Sequence, residues 1–382
     1  MISKIKLLLL FILSGVSVLG QTVDSSKIGW QFKNQKDANC LPSELNLGKM
    51  VGKVPLDAVF SEKDYYVWCG SMVKGNDSLY HLFYSRWPKK LGHSAWVTHS
   101  EIAHAVADKI NGPYVFKNVV LKARGNKFWD GVATHNPTVI FKGGKYYLYY
   151  MGTTGTANLT HPISMKDSAW WDYRNHQRIG VAIATKPDGK WKRYNKPVLG
   201  TGNKENAYDG LMVSNPAVTF GENNQLVMLY KQVEDNNTLK GGKVKFGVAF
   251  SNSPKGPFKK EAKPVFENNV KQSEWMTAED PYLWYQNGTY FSIVRDVVGN
   301  FTGISGALAL LTSKDAKDWF PAKNPLVLSK SFIWENGQDS NTKLERPQLY
   351  LENGVPKILF GAVDDNSESY RKNSYNVRIP LQ

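Results

Sequence analysis

Four prolines in this 382-residue sequence each follow two polar residues that could act on a bound molecule. These pairs are His135 and Asn136, Ser214 and Asn215, Glu279 and Asp280, and Glu345 and Arg346. Carboxyl groups can exchange protons with a substrate, and repulsion between Glu279 and Asp280 favours a protonated form of one of them. The same two carboxylates would also suit Ca²⁺, a hard cation that prefers oxygen ligands. The pairs indicate either acid–base chemistry or a cation site.

Each pair also has a structural interpretation. Polar side chains at strand ends can cap the strand or connect neighbouring units, which applies most to Asn136 and Asn215. His135 could bind a hydroxyl, carboxylate or sulfate group, whereas no second histidine stands at the spacing of a zinc site. Arg346 could bind an anionic group as a planar fork or neutralise the adjacent Glu345. The residue types alone leave these alternatives open.

Further polar residues accompany the pairs. Asp130 and Asp209 each precede a glycine upstream of a proline, so each could shape a loop or line a binding site. A second group interrupts or follows apolar segments and could form another layer of the site: Arg86, Trp87, Lys231 and Arg295. We expect both groups to lie near the proline pairs and to support substrate binding.

The prolines mark an internal repeat. Pro137, Pro216, Pro281 and Pro347 each begin a short apolar segment, and a turn connects this segment to a second one. Third segments follow in RIGVAIATK, KFGVAFSNS and GALALLTSK. Short apolar segments bounded by glycine and asparagine are typical of buried strands. The unit is longer than the roughly 40–45 residues of the commonest propeller repeat, which indicates long loops.

The repeat predicts an all-β fold, a five-bladed β-propeller of four-stranded blades over residues 54–382. An earlier copy of the unit contains YYVWCGSMV and YHLFYSRWP, and we expect its innermost strand to be VPLDAVF, which carries Asp57. Innermost strands line the channel of a propeller, and a proline is tolerated where a strand begins. The polar pairs and Asp57 should therefore surround the mouth of the channel.

The first residues indicate export. Two lysines precede an apolar segment from Leu7 to Leu13, and small residues then lead to Gln21, a pattern typical of a cleaved signal peptide over residues 1–20. No later stretch is apolar and long enough to span a bilayer. We expect a periplasmic or extracellular protein, with an N-terminal extension over residues 21–53 before the propeller.

The two cysteines allow two interpretations. Cys40 and Cys69 could form a disulfide in an oxidising compartment. Cys69 stands in an apolar, strand-like segment, so it could equally be a small buried apolar side chain. The sequence does not decide between them.

The net charge of +15 also has two interpretations. A basic exported protein could favour an acidic partner such as a sulfated or uronic-acid polysaccharide, but the lysines are dispersed, which is typical of a solvated surface. No arginine-rich or RNA-binding motif is present, so we expect no nucleic-acid partner. Whether the protein is a monomer or a dimer stays open.

Aromatic residues are abundant and could stack on sugar rings as well as fill a core. The candidate platforms are Trp68, Trp87, Trp129 and Trp275. Trp170 and Trp171 belong to a long segment over residues 155–177, which could wall the channel mouth into a pocket. A pocket would favour action on a chain end.

The repeated units and the phrases YHLFYSRWP, WDGVATHNPT and EWMTAEDPYLWY resemble glycoside hydrolase families 43 and 117 over the propeller part of the chain. The resemblance implies a five-bladed glycosidase with a general base on the first blade, a general acid on a later blade and an acid that orients it. Matched by position, the base is Asp57 and the acid is Glu279. Asn215 stands where the orienting acid is expected, so Asp209 or Asp280 would have to replace it.

We therefore expect an exported, exo-acting and inverting glycoside hydrolase that cleaves a plant or algal polysaccharide, acidic or neutral, by general acid–base catalysis. A wide propeller mouth can hold two acids at the roughly 6.5–9.5 Å spacing of inverting enzymes, against about 5 Å for retaining ones. We expect no required cofactor, with Ca²⁺ as the one cation that the acids could bind. Two alternatives stay open: a carbohydrate-binding propeller without turnover, and a glycan lyase that uses His135 and Arg346.

Overall fold

The chain folds into a β-propeller of five blades. The computed structural model describes residues 45–155, 163–202, 208–267, 276–342, 344–364 and 373–382, and within these ranges the strands form five antiparallel sheets of four strands each. This confirms the predicted fold class and the number of blades.

Each blade runs from an innermost to an outermost strand. Blade one contains β2 (Tyr65–Lys74), β3 (Tyr80–Pro88), β4 (Glu101–Ala107) and β5 (Val115–Leu121), and blade two contains β6 (Ala133–Lys142), β7 (Lys145–Thr153), β8 (Arg178–Ala184) and β9 (Lys192–Arg193). Blade three contains β10 (Met212–Phe220), β11 (Leu226–Val233), β12 (Val244–Ser251) and β13 (Lys259–Lys260), and blade four contains β14 (Ala278–Gln286), β15 (Thr289–Asp296), β16 (Ala307–Ser313) and β17 (Phe320–Leu328). Blade five contains β18 (Glu345–Glu352), β19 (Val355–Asp364), β20 (Ser374–Pro380) and, from the start of the chain, β1 (Val59–Phe60).

The expected innermost strand of blade one was wrong. The segment VPLDAVF contributes β1, which pairs with β20 at the outer edge of blade five and so joins the two ends of the described chain in one sheet. Asp57 lies in a 3₁₀ turn (Leu56–Ala58) before β1, where it is exposed. The innermost strand of blade one is β2, in which Trp68 and Cys69 take the places that polar pairs occupy in the other blades.

The repeated proline phrase forms a β-bulge. In every innermost strand the pairing register shifts at the pair, and one residue there has a positive φ. These bulge residues are Cys69, Asn136, Asn215, Asp280 and Arg346, with φ between 51° and 56°. Such a backbone is uncommon for residues other than glycine, and asparagine and aspartate tolerate it best. The bulge re-aims two adjacent side chains in each blade.

The blades pack through apolar side chains between neighbouring sheets. Ile293 and Leu310 of blade four, for example, share a buried cluster with Leu359 and Val377 of blade five. β16, ALALLTS, is buried at every position, as expected for a strand covered on both faces. The apolar core therefore lies between neighbouring blades, and the residues of the polar pairs lie near the starts of the innermost strands.

Short helices lie in the loops and at the start of the described chain. α1 (Leu47–Met50) packs on β17, and Val51 and Val54 form single bridges to Leu381 and Trp334. α2 (Trp96–His99) follows β3, and α3 (Ser168–Asn175) follows β7. The predicted signal peptide and Cys40 lie outside the described residues. In the described part of the chain, no helix has the length and apolar character to cross a membrane.

Candidate active site

A pocket of about 220 Å³ lies where the innermost strands begin. All eight residues of the four polar pairs line it, in agreement with their expected place at the channel mouth. One side, the aromatic wall, consists of Trp68, Trp87, His93, Trp96, Trp170 and Trp171. A second side, the charged wall, consists of Lys231, Glu279 and Glu345, with Arg295 directly behind the two glutamates, and Arg174 lines the pocket beside Trp171.

The bulge residues form a hydrogen-bonded chain at the base of the pocket. The Asn136 side-chain amide donates to Asn215 Oδ1 at 2.7 Å, and the Asn215 amide donates to Asp280 Oδ1 at 3.0 Å. Arg346 completes the chain, with Nη1 at 3.3 Å from Asp280 Oδ1 and its backbone N–H at 3.2 Å from Oδ2. These four residues come from four blades, so the chain ties the blades together around the axis.

Cys69 occupies the fifth position of this base. Its thiol is free and buried, and Arg346 Nε lies 3.3 Å from its Sγ. Burial raises the pKa of the Cys69 thiol, so it stays neutral beside the guanidinium. Arg346 is therefore committed to Asp280 and Cys69 rather than to Glu345.

Two cations hold Glu279 in the charged wall. Lys231 Nζ lies 2.9 Å from Glu279 Oε1, and Arg295 forms an ion pair with Oε2. Arg295 also reaches Glu345, with Nη1 at 3.8 Å from Oε1. Because β14, β15 and β18 carry these three residues, one guanidinium connects the carboxylates of two neighbouring blades.

Lys231 is less basic than an ordinary lysine. Burial lowers its pKa to about 8, helped by the positive charges of Arg174, Arg295 and Arg346 and opposed by Asp280. An amine that titrates near neutral pH can change its charge within the working range of an enzyme. The charged wall therefore contains a group whose state depends on pH.

His135 belongs to the aromatic side of the pocket. Its ring stacks on Trp96 with centroids 5.1 Å apart, and Nδ1 lies 2.7 Å from Ser100 Oγ. Burial, together with the charges of Arg346 and His93, lowers the pKa of His135 well below its ordinary value. The imidazole is therefore neutral at pH 7 and suits hydrogen bonding to a neutral hydroxyl.

Loops position most of the aromatic wall. The Trp170 ring meets Trp96 edge-on at 5.7 Å, and its Nε1 donates to the backbone of Ser94 at 2.9 Å. Val97, Ile163, Trp170 and Tyr173 form a small buried cluster that joins α2 to α3. This cluster fixes the loops of blades one and two against each other at the pocket rim.

Several predicted site residues lie elsewhere. Asp57 is exposed at the outer edge of blade five, and Arg86 pairs with Glu62 and Glu101 between two aromatic rings. Asp130 is fully buried in ion pairs with Arg124 and Arg193, and Asp209 pairs with Lys260. Trp129 stacks on Tyr150 within blade two, and Trp275 lies outside the described residues. Asp57, Arg86, Asp130 and Asp209 therefore do not line the pocket.

The sequence interpretation missed other pocket residues. Arg174, Gln177 and His93 line the pocket from loops, and Met212 lines it from the start of β10. Loop residues carried no repeat signal, whereas the bulge at Cys69 could have been found by aligning YYVWCGSMV with the proline phrases. Among the described residues, no group of three or more His, Cys, Asp and Glu side chains is arranged to hold a metal ion.

Comparisons with known proteins agree with this architecture. The sequence profile of the glycosyl hydrolases family 32 N-terminal domain matches residues 136–338, more than half of the chain. The chain belongs to this family of glycosyl hydrolases. Membership makes it a glycoside hydrolase and places the matched region from the bulge of blade two to the connection before blade five. No curated protein matches the sequence.

Solved structures of low sequence identity share the propeller of this family 32 domain. BT0996, solved as an RGII complex, has a TM-score of 0.60 at 14% identity, over 88% of this protein and 96% of the other. A thermostable family-43 glycoside hydrolase gives 0.58 at 14% identity, over 86% and 92%. Zg3597, a family 117 glycoside hydrolase of the marine bacterium Zobellia galactanivorans, gives 0.55 at 16% identity, over 86% and 88%. The resemblance to families 43 and 117 is thus confirmed for the fold.

Proposed function

We propose that the chain is an exported, exo-acting glycoside hydrolase in which Glu279 and Glu345 are the two reacting carboxyl groups. The observation that carries this proposal is their shared contact with Arg295 at the charged wall of one pocket. Hydrolysis of a glycosidic bond needs one group that protonates the leaving oxygen and one carboxylate that activates water or attacks the sugar. Asp57 lies too far from the pocket to serve as either.

The contacts of the two glutamates suggest different roles. Glu279 contacts both Lys231 and Arg295, and two adjacent cations favour the ionised form of a carboxyl group. An ionised carboxylate suits the base, so we assign this role to Glu279 instead of the acid role that the family resemblance implied. Glu345 contacts Arg295 at the longer distance of 3.8 Å, and we assign it the role of general acid. Asp280 forms an ion pair with Arg346 and helps to hold the hydrogen-bonded chain at the bottom of the pocket.

The size of the pocket supports action on a chain end. Its volume of about 220 Å³ is below the roughly 300–1,000 Å³ of sites for drug-sized ligands, so it suits one or two sugar rings. The aromatic wall offers ring faces to the apolar side of a sugar. We propose the terminal sugar of a plant or algal polysaccharide as the substrate, because the solved relatives include an enzyme of a marine bacterium.

We further propose inversion of configuration. A guanidinium between two carboxylates keeps them apart, which favours the larger separation of about 6.5–9.5 Å with room for a water molecule. Glu279 would then remove a proton from this water while Glu345 protonates the leaving oxygen.

Proton NMR of the protein mixed with a panel of plant and algal oligosaccharides tests these proposals together. We expect a free monosaccharide whose first-formed anomer is opposite to that of the substrate. Glu279→Gln and Glu345→Gln should each slow its release by about 10²–10⁴-fold, whereas Glu267→Gln, which removes another lysine-paired carboxylate outside the pocket, should not. Undiminished release by both pocket variants would refute the assignment, and longer products would refute exo-action.

A further inference from the structure

Arg174 is a buried cation of the pocket that pairs with no acid among the described residues. It stands in the last turn of α3, is 8% exposed and lines the pocket. Its Nη1 donates to Asn175 Oδ1 at 3.0 Å and to the backbone oxygen of Lys240 at 3.3 Å. Burial lowers the pKa of Arg174 to about 10, which still leaves it charged at neutral pH. A buried guanidinium normally has an anionic partner, so this one is set to receive an anion from a ligand.

Gln177 gives an independent indication at the same place. The side chain is 2% exposed and lines the pocket, and its Nε2 has no hydrogen-bond partner among the described residues. Its backbone N–H donates to the backbone oxygen of Arg174 at 3.3 Å, so the two residues share one turn of chain. Buried amide donors are nearly always paired in a folded protein. A ligand acceptor next to Arg174 would satisfy both groups.

The charges of the pocket also favour an anion. Within the described residues, the lining and the guanidinium behind it include four cations and three carboxylates: Arg174, Lys231, Arg295 and Arg346 against Glu279, Asp280 and Glu345. Lys231, Arg295 and Arg346 each pair with a carboxylate, and His135 is neutral. The unbalanced positive charge is therefore that of Arg174.

The planar shape of the guanidinium selects among anions. Trp171 packs near it, with the guanidinium carbon 5.6 Å from the ring centroid, and Asn175 and Lys240 fix one nitrogen. A fixed planar fork matches the two oxygens of a carboxylate in a bidentate pair. Carboxylates occur on uronic acids, whereas the neutral sugars lack any group that needs such a partner.

We propose that Arg174 and Gln177 bind the carboxylate of a uronic acid in the pocket, so that the enzyme acts on an acidic glycan. This inference rests on the proposed function, because the bound sugar is taken to be the residue that Glu279 and Glu345 release. The carboxylate lies on the side of α3, and the glycosidic bond lies on the side of blades four and five.

Calorimetric titration of the protein with free monosaccharides tests the subsite without turnover. The probes are glucuronate, galacturonate and mannuronate, each compared with its neutral parent sugar and with galactose 6-sulfate. We expect one uronate to bind at least 10-fold more tightly than its parent. Arg174→Gln should weaken that uronate by about 10- to 100-fold and leave the neutral sugar unchanged, because a charge-assisted pair is lost.

Two further variants show whether a loss of uronate binding comes from the proposed subsite or from a general change in the protein. Gln177→Met removes the amide at nearly equal volume and leaves Arg174 in place, so it should weaken the uronate several-fold. Lys166→Gln removes an exposed positive charge from the same loop, outside the pocket, and should have no effect on either sugar. Equal weakening by Lys166→Gln would mean that only the general charge of the surface acts, and would overturn the proposal.

Other outcomes separate this inference from the proposed function. Equal affinity for uronates and neutral sugars, or preference for the sulfated sugar, would overturn the carboxylate subsite, even if hydrolysis requires Glu279 and Glu345. Tight binding of a uronate that depends on Arg174, with no hydrolysis of any acidic oligosaccharide, would support the subsite and refute the proposed reaction.

Discussion

The aromatic and charged walls of the pocket differ in how the fold supports them. In the charged wall, Lys231, Glu279 and Glu345 stand on strands of blades three, four and five and are linked by ion pairs. In the aromatic wall, Trp96 and Trp170 stand in loop helices that are held by a small apolar cluster. The sheets thus fix the proposed reacting groups, whereas loops supply most of the aromatic wall.

Because of this difference, we expect the charged wall to act on the chemical step and the aromatic wall to act on substrate binding. Ion pairs between neighbouring blades hold the carboxylates at one spacing, and a change there should act on the chemical step. Ring stacking acts equally on bound substrate and transition state, so a change there should act mainly on KM. Substitutions in the two walls can therefore be compared through kcat and KM.

The largest effect is expected for Arg295→Met. The substitution removes the cation that contacts both glutamates and leaves two carboxylates in a buried setting with less compensation. We expect kcat to fall by about 10²–10³-fold with a smaller change in KM, as seen when one electrostatic contact in an active site is deleted. Arg193→Met, which leaves Asp130 paired with Arg124 in blade two, is the control for losing a buried arginine and should retain kcat. An equal fall in kcat in Arg295→Met and Arg193→Met would show that the loss of a buried arginine acts only through the stability of the fold.

A second prediction concerns pH and the charged wall. Lys231 has a pKa of about 8, so about one tenth of it keeps its charge at pH 9, and activity should fall roughly 10-fold between pH 7 and pH 9. Lys231→Arg keeps its charge in this range and should move the alkaline limb upward in the kcat profile. Between pH 8 and about 10.5 the unfolded state binds more protons than the folded state, so this group makes the fold more stable as the pH rises, and unfolding of this origin would not explain the loss of activity. An unchanged alkaline limb in Lys231→Arg would exclude Lys231 as its source.

The aromatic wall should respond differently. Trp96→Leu removes the ring that stacks on His135 and should raise KM by about 3- to 10-fold while kcat stays within about 2-fold, since an aromatic contact contributes about 0.5–1.5 kcal/mol. Tyr208→Leu, an exposed aromatic outside the pocket, is the matched control and should leave both constants unchanged. A fall in kcat as large as that of Arg295→Met would remove the distinction between the walls.

The sequence predicted the parts of the site that the strands carry. Pro137, Pro216, Pro281 and Pro347 each follow a bulge in the first half of an innermost strand, and this local requirement is visible in the residues themselves. Blade one meets the same requirement with Cys69 and Gly70, without a proline or a second polar residue, so its innermost strand was assigned one segment too early. The sequence pattern therefore reveals the bulge only in the four blades where a proline follows it.

The remaining site residues depend on contacts between distant segments. Arg174 and Gln177 reach the pocket because Trp170 bonds to Ser94 and packs in the cluster that joins α2 and α3. Asp130 looked equally suited to a binding site, but ion pairs within blade two bury it completely. Residue type does not reveal such partners, because each is brought there by the tertiary fold.

The smallest expected effect concerns stability at acid pH and His135 on the aromatic side. Its pKa lies well below the ordinary value in the folded state, mainly because of burial, so only the unfolded state binds this proton as the pH falls below about 6.5. Stability from this group is therefore lost on acidification, as the pH falls through the ordinary histidine range. His135→Gln can keep a hydrogen bond to Ser100 without titrating, so its unfolding free energy should fall less between pH 7 and pH 5. Urea unfolding at the two pH values measures this, with His176→Gln as a more exposed control. An equal loss in wild type and His135→Gln would mean that other groups set the acid sensitivity and that the neutral imidazole is not an energetic feature of the aromatic wall.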